Sequence, residues 1–204
     1  MLSFQYIQSK EEFDAAVKIW KKEKELAIDL ECENNLHHYG AYISLIQISN
    51  KEKNWVIDVI ALKNIDGLLN VFKDKKIIKI FHDVSFDFRI LNHQFKCQPK
   101  NVFDTQTAAL LLGKEKVGLG SLLEEFFEIK KEKKFQRIDW TKRPLSLAQL
   151  NYAAKDTAYL LELKKKLLDE SKKKERHLWI QQEKEYLDTL AFPYNEQTYI
   201  DLPG

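Results

Sequence analysis

The order of the predicted elements indicates an α/β fold, in which helices pack against a mixed sheet. The chain begins with one amphipathic helix, continues through three closely spaced strands, and then alternates helix and strand before it ends in helices. The strands are short apolar runs flanked by charge, and the helices repeat apolar residues at helical spacing. A length of 204 residues suits one domain. Because we find neither a linker nor an internal repeat, we expect a single domain over residues 1–204.

A capping box marks the start of the first helix. Ser9 and Glu12 are three residues apart, so each side chain can bond to the other residue's backbone N–H. Apolar residues then recur at helical spacing, at Phe13, Ala16, Val17 and Trp20. Three strands are predicted next, at 26–32, 43–49 and 55–59. Their close succession predicts an antiparallel meander.

The rest of the chain alternates between predicted strands and predicted helices. Two further strands are predicted, at 76–81 and 102–103. Helices are predicted at about 62–72, 86–91, 105–112, 121–127, 146–168 and 175–190. Two of these helices begin at capping boxes, Ser121 with Glu124 and Ser146 with Gln149. The tail 192–204 shows no clear period.

The composition is that of a globular chain and excludes the low-complexity and collagen-like classes. Hydrophobic residues make up 44%, enough for a full core, and there are only 6 Gly and 4 Pro. Cys32 and Cys97 have no zinc-ligand spacing, and the formal net charge of +2 says little about partners. We find no signal peptide and no run of about 18 apolar residues. We therefore expect a cytoplasmic protein that does not associate with membranes.

Two acids interrupt the first predicted strand. Asp29 and Glu31 are two residues apart, so their side chains project from the same strand face. Their neighbours Ile28, Leu30 and Cys32 resemble core residues, and a buried acid costs several kcal/mol unless something pairs with it. This cost favours a functional role. The alternative is that the strand lies at a sheet edge and both acids contact water.

A strand-to-helix corner holds the next candidates. Asp87 follows the strand 76–81, and sites are commonly built on loops at strand ends. Asp83 competes for the same role, although its position also suits a helix N-cap. His82 could contact a substrate or bond to the backbone.

Tyr152 and Asp156 are one helical turn apart and share a helix face. By itself this pair also fits an ordinary amphipathic surface. Together with Asp29, Glu31 and Asp87, however, Asp156 completes a set of four carboxylates that would repel one another. Two divalent cations would cancel that charge. The arrangement therefore predicts a two-metal site for phosphoryl chemistry.

Taken in order, these segments resemble the exonuclease motifs of the DEDD superfamily, in the DEDDy branch that includes ribonuclease D. Asp29-Leu30-Glu31 is similar to the first motif, Asp-x-Glu, and 45–48 resembles its continuation. The second motif is resembled by 79–82 followed by Asp87.

The third motif is resembled by Tyr152 and Asp156, and a Tyr in place of a His marks the DEDDy type. The stretches 103–106 and 139–145 are similar to segments that precede this motif in the family. The resemblance covers about residues 4–168 and leaves 172–204 as a C-terminal helix and tail. We expect none of the helical HRDC domains that longer ribonuclease D proteins carry.

The resemblance implies a ribonuclease H-like fold, with a five-stranded mixed sheet and helices on both faces. It also implies 3′-5′ exonuclease activity, in which Asp29, Glu31, Asp87 and Asp156 hold two Mg²⁺ or Mn²⁺ ions and Tyr152 orients the attacking water. Hard oxygen ligands favour these ions over zinc. The products would be nucleoside 5′-monophosphates from the 3′ end of a single strand. RNA is favoured, and transfer RNA precursors are the substrates that the resemblance suggests.

Substrate contacts are expected beside the metal ligands. The residues after the first motif are expected to wall the terminal-nucleotide pocket; they are Leu36, His37, His38 and Tyr39. Trp140 either stacks on a base or lies in the core, and Arg143 is expected to contact a phosphate. The basic run 130–134 either follows the substrate path or forms a solvated loop.

Two alternative functions stay open. A DNA exonuclease of the same branch would share the catalytic acids, because discrimination between the sugars depends on contacts to the 2′-hydroxyl that the sequence does not reveal. A nucleic-acid-binding module without catalysis would share the fold.

Overall fold

The computed structural model describes residues 2–132 and 134–190, and within them six strands form one mixed sheet. The strands are β1 (Gln5–Ile7), β2 (Glu25–Asn34), β3 (Ala41–Ser49), β4 (Asn54–Asp58), β5 (Ile78–Phe81) and β6 (Val102–Asp104). The helices are α1 (Lys10–Trp20), α2 (Val59–Leu62), α3 (Asp66–Lys73), α4 (Val84–Phe95), α5 (Thr105–Leu111), α6 (Leu119–Phe127), α7 (Leu147–Ala158), α8 (Leu160–Lys173) and α9 (His177–Thr189). The predicted α/β class is confirmed. The predicted tail 192–204 lies outside the described residues.

The sheet places β2 in its interior. The strand order is β1-β4-β3-β2-β5-β6. The pairs β2–β3 and β3–β4 are antiparallel, which confirms the predicted meander. The remaining pairs, β1–β4, β2–β5 and β5–β6, are parallel. β2 is therefore not an edge strand, as the alternative required, although its pairing with β5 ends at Ala27 and leaves Asp29 and Glu31 paired with β3 alone.

Side chains alternate along β2, so successive residues of this strand pack on opposite faces of the sheet. Leu26, Ile28 and Leu30 belong to the core under α1, α3 and α4. In that core the Trp20 ring packs edge-on against Trp55, with ring centroids 5.7 Å apart. Ala27 lies on the opposite face, which α5, α7 and α8 cover. Residues two and four positions beyond Ala27 therefore project toward α7.

Several element boundaries differ from the sequence predictions. β1 adds a sixth strand to the five expected, since three residues are too few to show alternation. The helix predicted at 146–168 is two helices, α7 and α8, which meet at Tyr159. The helix predicted at 62–72 corresponds to α3, which begins only at Asp66, because the short helix α2 ends at Leu62 and Lys63 adopts a positive φ of 61° between the two.

Two of the three predicted capping boxes are confirmed. In both, the serine accepts a hydrogen bond from the backbone N–H three residues on, and that residue's side chain bonds back to the serine; they are Ser9 with Glu12 and Ser146 with Gln149. The third is wrong. α6 begins at Leu119 after Gly118, and Ser121 lies inside its first turn.

Across the described stretches 2–132 and 134–190, none of the helices combines the length and the apolar character that a membrane span requires.

The two serines provide a test of where helices begin. Ser146→Ala is expected to lower the free energy of unfolding by about 1 kcal/mol, because it removes the acceptor at the N-terminus of α7. Ser121→Ala should change it by less than about 0.5 kcal/mol, since alanine is the better helix former at a position inside the first turn. Urea unfolding followed by circular dichroism compares the two. An equal loss in both variants would contradict the observed start of α6.

Candidate active site

Carboxylates from β2 and α7 meet on one face of the sheet. Oxygen atoms of Asp29, Glu31 and Asp156 lie within 4.8 Å of one another. The first two alternate along β2, and the third lies on α7, which packs across β2 and β3. The structure thus brings together three of the four acids predicted as metal ligands. We refer to these three residues and Asp87 as the acid cage.

Asp87 completes the acid cage from the side of α4. It lies in the first turn of this helix and its side chain is 7% exposed. Its charge raises the pKa of Glu31, and the charge of Asp29 in turn raises the pKa of Asp87 after the larger effect of burial. Its competitor Asp83 is exposed, and it occupies the N-cap position without a capping bond from its side chain. The structure therefore favours Asp87 as the corner acid.

The corner itself is held by Asp104, at the end of β6. This carboxylate accepts the backbone N–H groups of Asp83 at 3.0 Å and Val84 at 3.4 Å. It also caps α5 by accepting the N–H of Gln106 at 2.9 Å. One buried side chain therefore fixes the start of α4, which carries Asp87. The sequence shows this residue only as part of a motif.

Burial and mutual repulsion disfavour the ionised forms of the cage acids. Burial and then the charge of Asp156 raise the pKa of Asp29 to about 7. Burial, then the charge of Asp29 and then that of Asp156 raise the pKa of Glu31 well above its usual range. All the donors in the cage are hard carboxylate oxygens, which suit Mg²⁺, Mn²⁺ or Ca²⁺. The site therefore fits a divalent cation.

An ammonium group lies at the edge of the cage. Lys131 Nζ is 2.6 Å from Asp156 Oδ1 and 5.5 Å from the centroid of the Tyr152 ring. The sequence suggests either the substrate path or a solvated loop for the basic run that contains this lysine. Neither interpretation predicts a contact with a cage acid, because Lys131 and Asp156 are 25 positions apart and on different elements.

Tyr152 is held rigidly beside Asp156. Its ring is stacked on Trp140, with centroids 6.1 Å apart, and meets Phe135 edge-on at 5.6 Å. Burial, followed by the charge of Asp156, raises its pKa to about 12. The hydroxyl is therefore protonated at neutral pH and can donate a hydrogen bond, as a group that orients water must. Trp140 is only 3% exposed, so it belongs to the core and does not stack on a base.

The expectation that Arg143 contacts a phosphate is wrong in this structure. Its Nε and Nη2 bind the two carboxylate oxygens of Asp58, at 2.7 and 2.8 Å. The remaining N–H groups point at the backbone carbonyls of Trp140, Lys142 and Ser44. With five donors satisfied inside the protein, none is left for a substrate. The residue instead ties the approach to α7 onto the end of β4.

The segment 35–40 connects the end of β2, the strand that carries Asp29 and Glu31, to the start of β3. Glu33 accepts the backbone N–H groups of Leu36 and His37, at 2.5 and 2.9 Å, and its other oxygen is 3.3 Å from His37 Nδ1. His38 Nε2 is 3.0 Å from Asp139 Oδ2. Within this tethered segment Leu36 and Tyr39 are 62% and 71% exposed. Their side chains are therefore available to a ligand.

His82 contacts the side chain of Thr105 at the corner before α4. Its Nδ1 is 2.9 Å from Thr105 Oγ1, and burial lowers its pKa to about 4, so the ring is neutral at pH 7. Together with Asp29 and Tyr152 it lines a cavity of about 810 Å³. It therefore stays a candidate for contact with a substrate.

Comparison with known proteins agrees with this geometry. Residues 4–172 match a family model described as a 3′-5′ exonuclease. The chain is 33% identical over 172 residues to the exosome complex exonuclease RRP6 of Saccharomyces cerevisiae, covering 82% of this chain and 23% of that protein. It is 32% identical over 200 residues to ribonuclease D of Shewanella sp., covering 97% of this chain and 51% of that protein. The chain thus spans about half or less of the length of these curated relatives.

Solved structures share the fold. The catalytic core of RRP6 from Trypanosoma brucei superimposes with a TM-score of 0.87 and 27% identity, covering 96% of this chain and 55% of that one. Brucella melitensis NrnC bound to pGG gives a TM-score of 0.77 and 27% identity, covering 93% and 91%. The same protein with bound Mg²⁺ gives 0.76 and 26%, covering 92% and 91%.

Loss of the Arg143 guanidinium should act on stability. Arg143→Ala is expected to lower the free energy of unfolding by about 3 kcal/mol, because it leaves the fully buried Asp58 carboxylate without its counter-charge. Lys142→Ala, which removes an exposed charge next to it, should change it by less than about 1 kcal/mol. Urea titration measures both. Unchanged stability in Arg143→Ala, with weakened binding of nucleic acid, would restore the phosphate role.

Asp29→Asn should stabilise the protein in EDTA. Burial raises the pKa of Asp29 in the folded state, so the folded protein holds a proton that the unfolded chain releases, and stability falls as the pH rises from about 4 through 7. Asparagine does not ionise, so the melting temperature of the variant should exceed that of the wild type by a margin that grows up to about pH 8. Asp14→Asn, at an exposed position of α1, is the control. A difference in melting temperature between variant and wild type that is constant with pH would contradict the raised pKa of Asp29.

Proposed function

Since this chain belongs to the 3′-5′ exonuclease family that its sequence matches over residues 4–172, we propose that it is a metal-dependent exoribonuclease. It would remove nucleoside 5′-monophosphates one at a time from the 3′ ends of single-stranded RNA. The single observation that carries this proposal is the acid cage, in which carboxylates from β2 and α7 lie within 4.8 Å of one another beside a cavity.

The cage would hold two Mg²⁺ or Mn²⁺ ions through Asp29, Glu31, Asp87 and Asp156. Its donors are oxygens only, and burial together with the neighbouring carboxylates raises their pKa values, a cost of ionisation that bound cations would relieve. The likeness to NrnC with bound Mg²⁺ supports this assignment. Metal ions in such a site supply an activated water and stabilise the charge that develops on the leaving oxygen.

The other residues of the chain position the reactants. Tyr152, held between Trp140 and Phe135, would donate its hydroxyl proton in a hydrogen bond to the attacking water. Tyr39 offers an exposed ring on which a terminal base can stack. His82, neutral at pH 7, faces the cavity without adding a charge.

The substrate class follows from the relatives. The likeness to a protein named ribonuclease D supports RNA rather than DNA as the substrate of this chain, and transfer RNA precursors stay one candidate. NrnC was solved with pGG and aligns along 91% of its length, which extends the range of candidate substrates to dinucleotides. A cytoplasmic location stays a prediction.

Shortening of labelled oligonucleotides tests the activity. A 5′-labelled single-stranded RNA should yield a ladder that shortens from the 3′ end with Mn²⁺ or Mg²⁺, and no ladder in EDTA. A 3′-phosphate block should slow its start. A DNA strand of the same sequence and the dinucleotide pGG, run in parallel, separate the substrate classes. Binding of RNA without any metal-dependent shortening would refute catalysis and leave a binding module.

Substitutions in the cage test the assigned roles. Asp156→Asn should abolish shortening, because it removes a metal ligand, whereas Tyr152→Phe should slow it by about 10- to 100-fold, because it removes one orienting hydroxyl. Asp87→Ala and Asp83→Ala form a matched pair at the corner, and only the first should abolish activity. Circular dichroism confirms that each variant is folded. A fully active Asp156→Asn protein would contradict the proposed function.

A further inference from the structure

The acid cage contains one cation that the chain itself supplies. Lys131 comes from the segment between α6 and α7, and its Nζ lies 2.6 Å from Asp156 Oδ1. We propose that Lys131 is the internal counter-ion of the metal-free cage and has to leave when a divalent cation binds, so that it sets the metal affinity of the site. This inference rests on the proposed function only in requiring that the cage binds a metal ion.

Burial distinguishes this contact from an ordinary surface ion pair. The side chain of Lys131 is 24% exposed and that of Asp156 is 5% exposed, so solvent screens their attraction poorly. A lysine ammonium at 2.6 Å from a carboxylate oxygen forms a close ion pair.

Position within the basic run also sets Lys131 apart. Lys130 and Lys134 are exposed, and Lys134 lies over the Phe135 ring at 5.3 Å. Only Lys131 of these three described lysines is paired with a cage acid. The run therefore does not act as a uniform basic patch, because one of its members is directed inward.

The lysine and the metal compete for the same oxygen. A divalent cation held by Asp156 would bind the same carboxylate oxygen that now lies 2.6 Å from the ammonium of Lys131. An ammonium and a divalent ion a few ångströms apart in a poorly solvated site would repel each other strongly. Metal binding is therefore an exchange of one cation for another, and the free energy of the Lys131–Asp156 contact is subtracted from that of metal binding.

The exchange has a structural consequence. Lys131 and Glu132 line both the cavity of about 810 Å³ beside Asp29 and a second one of about 540 Å³ beside Tyr159. Release of the ammonium would take the cation away from the Tyr152 ring, whose centroid lies 5.5 Å from Lys131 Nζ. The side chain of Lys131 is the part of the cavity wall that the exchange requires to move.

Metal titration without nucleic acid tests the proposal on the full chain. Lys131→Met keeps the length of the side chain and removes its charge, and it should bind Mn²⁺ about 10-fold more tightly than the wild type in calorimetric titration. In EDTA the same variant should melt at a lower temperature than the wild type, so that the rise in melting temperature on adding Mn²⁺ becomes larger. Lys130→Met removes a charge from the same segment and should change the Mn²⁺ affinity by less than twofold.

Further variants keep the outcome decisive. If Lys131→Met does not fold, Lys131→Gln replaces it, and Lys131→Arg should retain the affinity of the wild type. Equal Mn²⁺ affinity in Lys131→Met and Lys130→Met, or weaker binding in the former, would overturn the role of Lys131 while RNA shortening by the wild type upheld the exonuclease. Absence of Mn²⁺ binding in the wild type and in Lys131→Met would overturn both.

Discussion

Concentrated negative charge is the constraint on which the rest of this structure depends. Asp29, Glu31, Asp87 and Asp156 lie where burial alone makes an ionised carboxylate costly, and their charges raise the pKa of their neighbours further. Apolar residues at the same positions would give a more stable protein. The acids therefore have to be held together against their own repulsion, and the surrounding elements supply that restraint.

Three polar contacts provide this restraint, and each fixes a segment that carries or leads to a cage acid. Asp104 holds the corner before α4, and the cap at Ser146 starts α7. Asp58 binds Arg143 through two hydrogen bonds and thereby fixes the approach to α7. The partners of the ion pair are 85 residues apart in the chain. Two of the three, those of Asp104 and Asp58, are thus long-range contacts to buried carboxylates that are not themselves part of the cage.

Local periodicity explains how much could be predicted. Alternation places the two acids of β2 on one face, and helical spacing places the pair on α7 together, so neither needs knowledge of the tertiary fold. Lys131 and Arg143 lack such a signal, because a lysine in a basic run and an arginine before a proline look the same whether they point inward or outward. The fold shows the same division. The meander follows from apolar runs, whereas β1 is too short to show a period and Ser121 matches a capping box that the helix does not use.

Charge balance also constrains the order of events at the cage, given the proposed function. Lys131 contributes one positive charge to the metal-free cage, and the raised pKa values of Asp29, Glu31 and Asp87 mean that bound protons compensate part of the remaining negative charge at neutral pH. Divalent ions would displace those protons together with the lysine, which would then lie beside the cavity with its charge intact. A substrate phosphate would meet positive charge only in that second state, because in the first state the protons and the ammonium are already balanced by the carboxylates. The proposed function therefore favours metal binding before substrate binding.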